Sequence, residues 1–298
     1  MLRTTLKIVG ALLATMIVVA VLVFTLAWRK TEASRETTYT VNDPPLVMNS
    51  DADTLANGEH FFKTRGCADC HGENGAGQLV IDAGPVMQVI APNITPNGKV
   101  KGWSVDQIAA AIRHGVKADG HSVLFMPSSD FNNFSDDDTM ALVAYVQALP
   151  PSENDPGAFN IGPLGRVLYW AGKLPLFPAE NIDHSPKSRA APTLAATAEY
   201  GKYIAQGCTG CHGQNYAGQH VPGTPPEFPD AANITPGGAL KTWSEKEFVA
   251  AIRTGKRPDG SAINEFMPWR AFSHMSDTEL SAIWLYLQTL PAVATTKK

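Results

Sequence analysis

By its hydrophobic pattern the chain divides into one unbroken apolar run and two longer amphipathic stretches. From Ile8 to Trp28, 21 residues pass without a charge, "IVGALLATMIVVAVLVFTLAW". A helix needs about 20 residues at 1.5 Å each to cross a bilayer. Arg3 and Lys7 precede the run, and Trp28-Arg29-Lys30 closes it as an interfacial anchor does. A cleaved signal peptide would have a shorter apolar core and an A-x-A-like site. The pattern therefore predicts a single N-terminal transmembrane helix within 1–30. Residues 31–50 are polar, carry Pro44-Pro45, and read as a linker spacing the next domain from the membrane.

Beyond residue 50 the pattern is helical. Ser104-x-x-Gln107 and Ser244-x-x-Glu247 have the form of capping boxes. Ile108, Ile112 and Ile252 follow at apolar spacing, and Gly115 and Gly255 suit a helix stop. Ser135 and Ser276 open another helix, in which Leu142, Val143, Val146 and Leu149 recur at the 3.6-residue period before Pro150 and Pro291 end it. Further helices are expected around 53–65 and 195–206. The intervening Gly- and Pro-rich stretches show little strand pattern.

These signals occur twice. Shifted by 140 or 141 positions, the chain matches itself. "PNITP" at 92–96 meets "ANITP" at 232–236, Trp103-Ser104 meets Trp243-Ser244, and "AAIRHG" at 110–115 meets "AAIRTG" at 250–255. Met126-Pro127 meets Met267-Pro268, and "AYVQALP" at 144–150 meets "LYLQTLP" at 285–291. Two similar domains are thus expected at 51–150 and 192–292, with a short tail at 293–298. The proline-rich segment 151–191 between them contains "GPLGRVLYWAGKLPLF", too apolar for a loose tether. It is expected to pack as a strap that sets the geometry between the domains.

Charge narrows the partners. The chain has a formal net charge of −4, and its first 30 residues are basic, so the remainder is distinctly acidic. That balance excludes a nucleic-acid binder and favours a basic patch on a protein partner.

All four cysteines lie in Cys67-Ala-Asp-Cys70-His71 and Cys208-Thr-Gly-Cys211-His212. Cys-x-x-Cys-His is the attachment sequence of c-type haem. Two intervening residues let both thiols reach one edge of a porphyrin, and the adjacent histidine turns its imidazole to the iron. A redox dithiol would not call for the histidine, and a zinc site would need further ligands at zinc spacing. Two covalently bound haem c groups are therefore expected on Cys67, Cys70, Cys208 and Cys211, with His71 and His212 as axial ligands. A sixth ligand shared by both copies should recur at matched spacing. His60, His114, His121, His184, His220 and His274 have no histidine at the matching place, nor do Met87, Met140 and Met275 have a methionine there. Met126 and Met267 each follow their motif histidine by 55 residues and precede proline. They are the expected axial thioethers. Iron closed on both faces favours electron transfer over chemistry at the metal.

The two units resemble class I c-type cytochromes. In particular they resemble membrane-anchored dihaem cytochromes c and the cytochrome subunits of membrane-bound alcohol and gluconate dehydrogenases. The resemblance rests on the motifs quoted above over 51–150 and 192–292. It implies an all-α fold of two tandem class I domains after the transmembrane helix. It further implies attachment to a bacterial inner membrane with the haem domains in the periplasm. The dehydrogenase subunits usually carry three haem motifs, where this chain has two. The expected role is a non-enzymatic electron carrier. It would pass electrons from a quinol-oxidising complex or periplasmic dehydrogenase to an oxidase, reductase or soluble cytochrome. The alternatives are a dihaem cytochrome c peroxidase and an obligate cytochrome subunit of a larger complex. Trp103, Trp243, Arg113 and Arg253 are candidate contacts for the haem propionates. Asn93 and Asn233 are expected to fix loop backbone, and Tyr145 and Tyr286 a helix–helix contact.

Overall fold

The apolar run folds as α1 (Leu2–Glu36) in a computed structural model that describes residues 2–295. Met1 and residues 296–298, the end of the expected tail, lie outside the described residues. The helix continues through 31–36, so the linker expected at 31–50 is partly helical. The reason is tertiary. Ala27, Thr31 and Ser34 recur on one face and are buried, and Thr31 Oγ1 donates to the Ala27 carbonyl at 2.8 Å. The rest of the linker is not a free spacer either. Thr38 bridges His121, the Tyr39 N–H donates to the Gly120 carbonyl at 2.8 Å, and Asp43 accepts from Arg189 at 2.7 Å.

The first domain runs α2 (Ala52–Thr64), α3 (Cys67–His71), β1 (Gln78–Asp82), β2 (Met87–Ala91), α4 (Val105–His114), α5 (Ser128–Phe131) and α6 (Asp136–Ala148). Ser104 and Gln107 form the capping box in full. Ser135 caps α6 through the Asp138 N–H. The unit is mostly helical, as expected, with a short strand hairpin added between α3 and α4. β1 and β2 pair antiparallel from Gln78↔Ala91 to Asp82↔Gln88, and β3 (Asn160–Ile161), from the strap, joins the other edge of β2. After β3 the strap forms α7 (Pro163–Trp170). Its Tyr169, Leu174, Leu176 and Phe177 cluster with Met87, Val89 and Ile161 in a core of their own.

The second domain repeats the helices without the hairpin: α8 (Ala198–Ile204), α9 (Thr209–His212), α10 (Glu245–Thr254), α11 (Trp269–Phe272) and α12 (Asp277–Thr289). Ser244 and Ser276 head complete capping boxes. In each domain the first helix crosses the last at a glycine. A Cβ on Gly58 would lie 2.1 Å from the Ala141 carbonyl oxygen, and one on Gly201 would lie 1.9 Å from that of Ala282. Gly201→Ala should therefore lower stability despite alanine's better helix propensity, by about 1–3 kcal/mol. A thermal melt of the haem-loaded protein checks this; an unchanged midpoint would show that the crossing can spread.

The domains meet through named polar contacts. Tyr203 of α8 accepts from the Ser135 N–H at 2.9 Å and donates to Asp138. His60 of α2 bonds Glu279 of α12 at 2.8 Å, with the Glu279 side chain only 2% exposed. Burial alone would raise the Glu279 pKa. The His60 hydrogen bond and charge, the Ser276 N–H and Arg65 outweigh it and hold the carboxyl below its ordinary value of 4.5. A depressed carboxylate adds stability above the unfolded-state pKa, and that contribution disappears as pH falls through the folded-state value. The melting temperature of the native chain should thus drop more steeply below about pH 4.5 than that of Glu279→Gln. Parallel curves for the two would remove this pair from the acid response.

Candidate haem-binding cavity

One cavity of about 2120 Å³ runs past both cysteine motifs. Single ligand sites occupy roughly 300–1,000 Å³, so the volume corresponds to two ligands and not to one. Cys67, Cys70, His71, Trp103 and Met126 line one part, and Cys208, Cys211, His212, Trp243 and Met267 the other. Apolar side chains of both domain cores complete the lining, among them Phe62, Ile108 and Leu142 of the first and Phe248, Ile252 and Leu287 of the second.

The local sequence explains how each motif is presented. Gly66 (φ 74°) turns the chain into α3, and Gly72 (φ 81°) turns it out again. The motif is therefore a single helical turn with its two sulfurs on one side. His71 Nδ1 bonds the Pro92 carbonyl at 2.9 Å, and His212 Nδ1 bonds the Ala232 carbonyl at 2.7 Å. That bond fixes the tautomer with the proton on Nδ1 and leaves Nε2 as the lone-pair nitrogen. Burial lowers both imidazole pKa values, partly offset by these bonds, so the rings are held neutral as a metal ligand must be.

The carbonyls that orient the histidines come from the two "N-I-T-P" loops. Asn93 Oδ1 accepts from the Thr95 N–H at 2.9 Å while its amide donates to the Ser152 carbonyl at 2.8 Å. Asn233 Oδ1 accepts from the Thr235 N–H at 3.0 Å, and its amide donates to the Val293 carbonyl at 2.7 Å. Each asparagine thus ties its loop to the chain just past the last helix, which is the backbone-fixing role expected of it.

All four thiols sit where burial disfavours the thiolate. Burial pushes Cys67 and Cys208 up to about 12 and raises Cys70 and Cys211 as well. A redox dithiol or thiolate metal site needs the opposite environment. Among the described residues no group of three His, Cys, Asp or Glu converges to hold a lone metal ion. Paired neutral thiols, a tautomer-fixed histidine and an apolar cradle, all twice over, fit covalently attached haem.

Arg113 and Arg253 depart from the expectation. Neither lines the cavity. Arg113 is 1% exposed and donates to Thr139 Oγ1 and Asp136 Oδ1, each at 2.8 Å, with Asp43 Oδ2 at 3.6 Å. Arg253 donates to Asp277 at 2.7 Å and to the Ser273 carbonyl. Asp136 and Asp277 are matched residues in the first turn of α6 and α12, where the helix dipole favours a carboxylate. Each arginine joins its helix to that turn, so its role is structural. Arg113→Met should cost about 3 kcal/mol, because it leaves Asp136 without a guanidinium and Asp43 with Arg189 alone. Its absorption spectrum and potentials should stay unchanged; a shifted potential would restore the propionate role.

Two cavity residues escaped the sequence reading. Arg65 donates to the Ile204 carbonyl at 3.2 Å, its guanidinium sits 5.8 Å from the Phe61 ring, and its charge acts on both Cys67 and Cys208. Asp130 lines the same cavity near the second motif, and burial raises its carboxyl to about 6. The strap also reaches the site. The Phe125 N–H donates to the Leu176 carbonyl at 2.9 Å, holding Phe125 at φ 57° beside Met126.

Comparison with known proteins agrees with this geometry. Residues 53–146 match the family "Cytochrome C oxidase, cbb3-type, subunit III", and residues 198–291 match "Cytochrome c". The matches together span more than half of the chain, which belongs to the c-type cytochromes and carries two covalently bound haem c groups. It is 27% identical to a dihaem c-type cytochrome of Cereibacter sphaeroides, over 85% of this chain and 90% of that one. It is 24% identical to the fructose dehydrogenase cytochrome subunit of Gluconobacter japonicus, over 84% of this chain and 55% of that one. It is 26% identical to the cytochrome c subunit of a quinone-dependent alcohol dehydrogenase of Gluconobacter oxydans, over 83% and 57%. The chain therefore spans just over half the length of these dehydrogenase subunits. It is an electron-transfer cytochrome, its relatives lend no support to the peroxidase alternative, and its apolar N-terminal helix has the length and composition of a membrane anchor.

Proposed function

We propose that this chain is a membrane-anchored dihaem electron carrier, not itself an enzyme, with both haem domains on the periplasmic face of a bacterial inner membrane. The observation that carries the reading is the pair of histidines held by Nδ1 on a backbone carbonyl, each in a cavity that also contains the matched methionine. Cys67, Cys70, His71 and Met126 hold one haem, and Cys208, Cys211, His212 and Met267 the other. Bound there, each haem supplies a one-electron iron centre. The chain's own cysteines would attach it, its histidine and methionine would hold it, and the apolar lining would exclude water. A thioether ligand stabilises the ferrous state and raises the potential.

The donor is proposed to be a quinol-oxidising complex or a sugar or alcohol dehydrogenase, since two of the relatives are cytochrome subunits of such enzymes. The acceptor is proposed to be an oxidase, a reductase or a soluble cytochrome. The match to a dihaem cytochrome over 90% of its length favours a separate carrier over an obligate subunit. Solubilisation in mild detergent followed by identification of co-purifying chains tests this. Recovery of the protein alone with both haems reducible supports the carrier, and stoichiometric recovery with a dehydrogenase would replace it by the subunit reading.

A further inference from the structure

The strap helix α7 has its polarity reversed. Its inward side presents Gly165, Arg166 and Tyr169, all buried, while Leu164 is 45% and Trp170 44% exposed. Val167 and Leu168 are half-buried, and Ala171 is exposed just past the helix end. In water an amphipathic helix turns its apolar stripe inward. Here the residues turned outward are apolar, and the buried arginine and tyrosine are satisfied by partners.

Those partners belong mostly to α1. Arg166 donates to Glu32 at 2.5 Å, and its guanidinium lies 3.7 Å from the Trp28 ring centroid. The Tyr169 hydroxyl meets Ser34 Oγ at 2.5 Å and Glu180 at 2.7 Å. Gly165 seats against the Val86 carbonyl, where a Cβ would come within 2.0 Å. The α1 face that is buried is Ala27, Thr31 and Ser34. α7 is therefore fixed along α1 from Trp28 to Ser34, starting where the uncharged run ends. Trp28 is itself 46% exposed, Arg29 and Lys30 next to it are exposed, and Lys173 just past the end of α7 is exposed as well. Aromatic and aliphatic side chains with lysine and arginine at one level are the composition of a membrane interface.

We propose that the outward face of α7, with Leu164, Trp170 and Ala171, lies in the headgroup–acyl boundary of the membrane that α1 crosses. The occupant of this face is lipid, because the face continues the lipid-exposed surface of α1 at its exit. The inference rests on α1 spanning the membrane.

The test uses the full haem-loaded chain in vesicles of phosphatidylethanolamine and phosphatidylglycerol with no other protein. The native cysteines are consumed by haem, so a single introduced cysteine can carry a nitroxide. Leu164→Cys and Ala171→Cys report on α7, Thr15→Cys on the span, and Lys246→Cys on an exposed site of the second domain. Collision of the label with oxygen and with a water-soluble nickel chelate gives its depth. The α7 labels are expected to favour oxygen and to lie roughly 5–10 Å into the boundary, with Thr15 deeper and Lys246 in water. If Thr15 is in lipid while the α7 labels match Lys246, the proposal falls and the anchor stands. If Thr15 is in water, both fall. Haem absorption reports folding of each variant, and if Leu164→Cys misfolds, the exposed Ala171 site decides alone.

Discussion

Cys208→Ser/Cys211→Ser is expected to leave the second domain unfolded while the first still binds its haem. Half of the 2120 Å³ cavity would lose its occupant. At about 24 cal/mol per Å³ an unfilled void of that size would cost on the order of 25 kcal/mol. A domain is stable by only about 5–15 kcal/mol. Even generous collapse or flooding does not close that gap, because the lining is apolar and water gains few partners there. Amide hydrogen exchange should show residues 198–291 unprotected and 53–146 protected, with half the haem of the native chain. Native-like protection across α8, α10 and α12 would show that haem does not fill the second core.

The second large effect concerns the thioethers. Leucine matches methionine in volume but offers no sulfur, so Met126→Leu and Met267→Leu should keep the fold while opening one iron each. The altered centre should lose its ferric thioether band and bind carbon monoxide when reduced. Its potential should fall by something on the order of 100 mV, a fraction of the ~0.8 V range that axial ligands span. Met126 sits beside a Phe125 held by the strap through Leu176, whereas the Met267 N–H is held locally by the Asn264 carbonyl at 3.0 Å. Cutting the strap bond with Leu176→Pro would not serve as a control, since it is the Leu176 carbonyl that accepts. Carbon monoxide binding by the native protein at both centres, or unchanged potentials in both variants, would sink the ligand assignment.

The repeat made much of this site legible. Capping boxes at Ser104 and Ser244 form because their signals are local, and a local signal survives in any tertiary setting. The matched motifs also placed cysteine, histidine, tryptophan and methionine at one cavity. Matching was blind, however, to whatever joins the copies, because residues between two domains are not shared by both. Arg65 stands before Gly66-Cys67 where the second copy has Gln206, and Asp130 corresponds in spacing to Ala271. His60, set aside for lacking a counterpart, is an interdomain contact of Glu279. The hairpin and β3 escaped for a related reason. β3 is only two residues long and exists because β2 offers it an edge, a pairing across more than 70 positions that no local pattern encodes. The linker misled likewise, since Tyr169 and Arg189, the strap partners of Ser34 and Asp43, lie more than 100 residues away.

The unbroken course of α1 through Glu36, followed at once by the Thr38 bridge to His121, has a kinetic consequence. No hinge separates the lipid from the first haem domain, so the domain rides on a stiff stem at one height and cannot lean toward distant docking sites. Traffic with integral membrane partners would then be governed by lateral encounter and by matching heights. Lengthening the stem by one helical turn, about 5.4 Å, would raise the domain by that amount and so disturb the matching of heights.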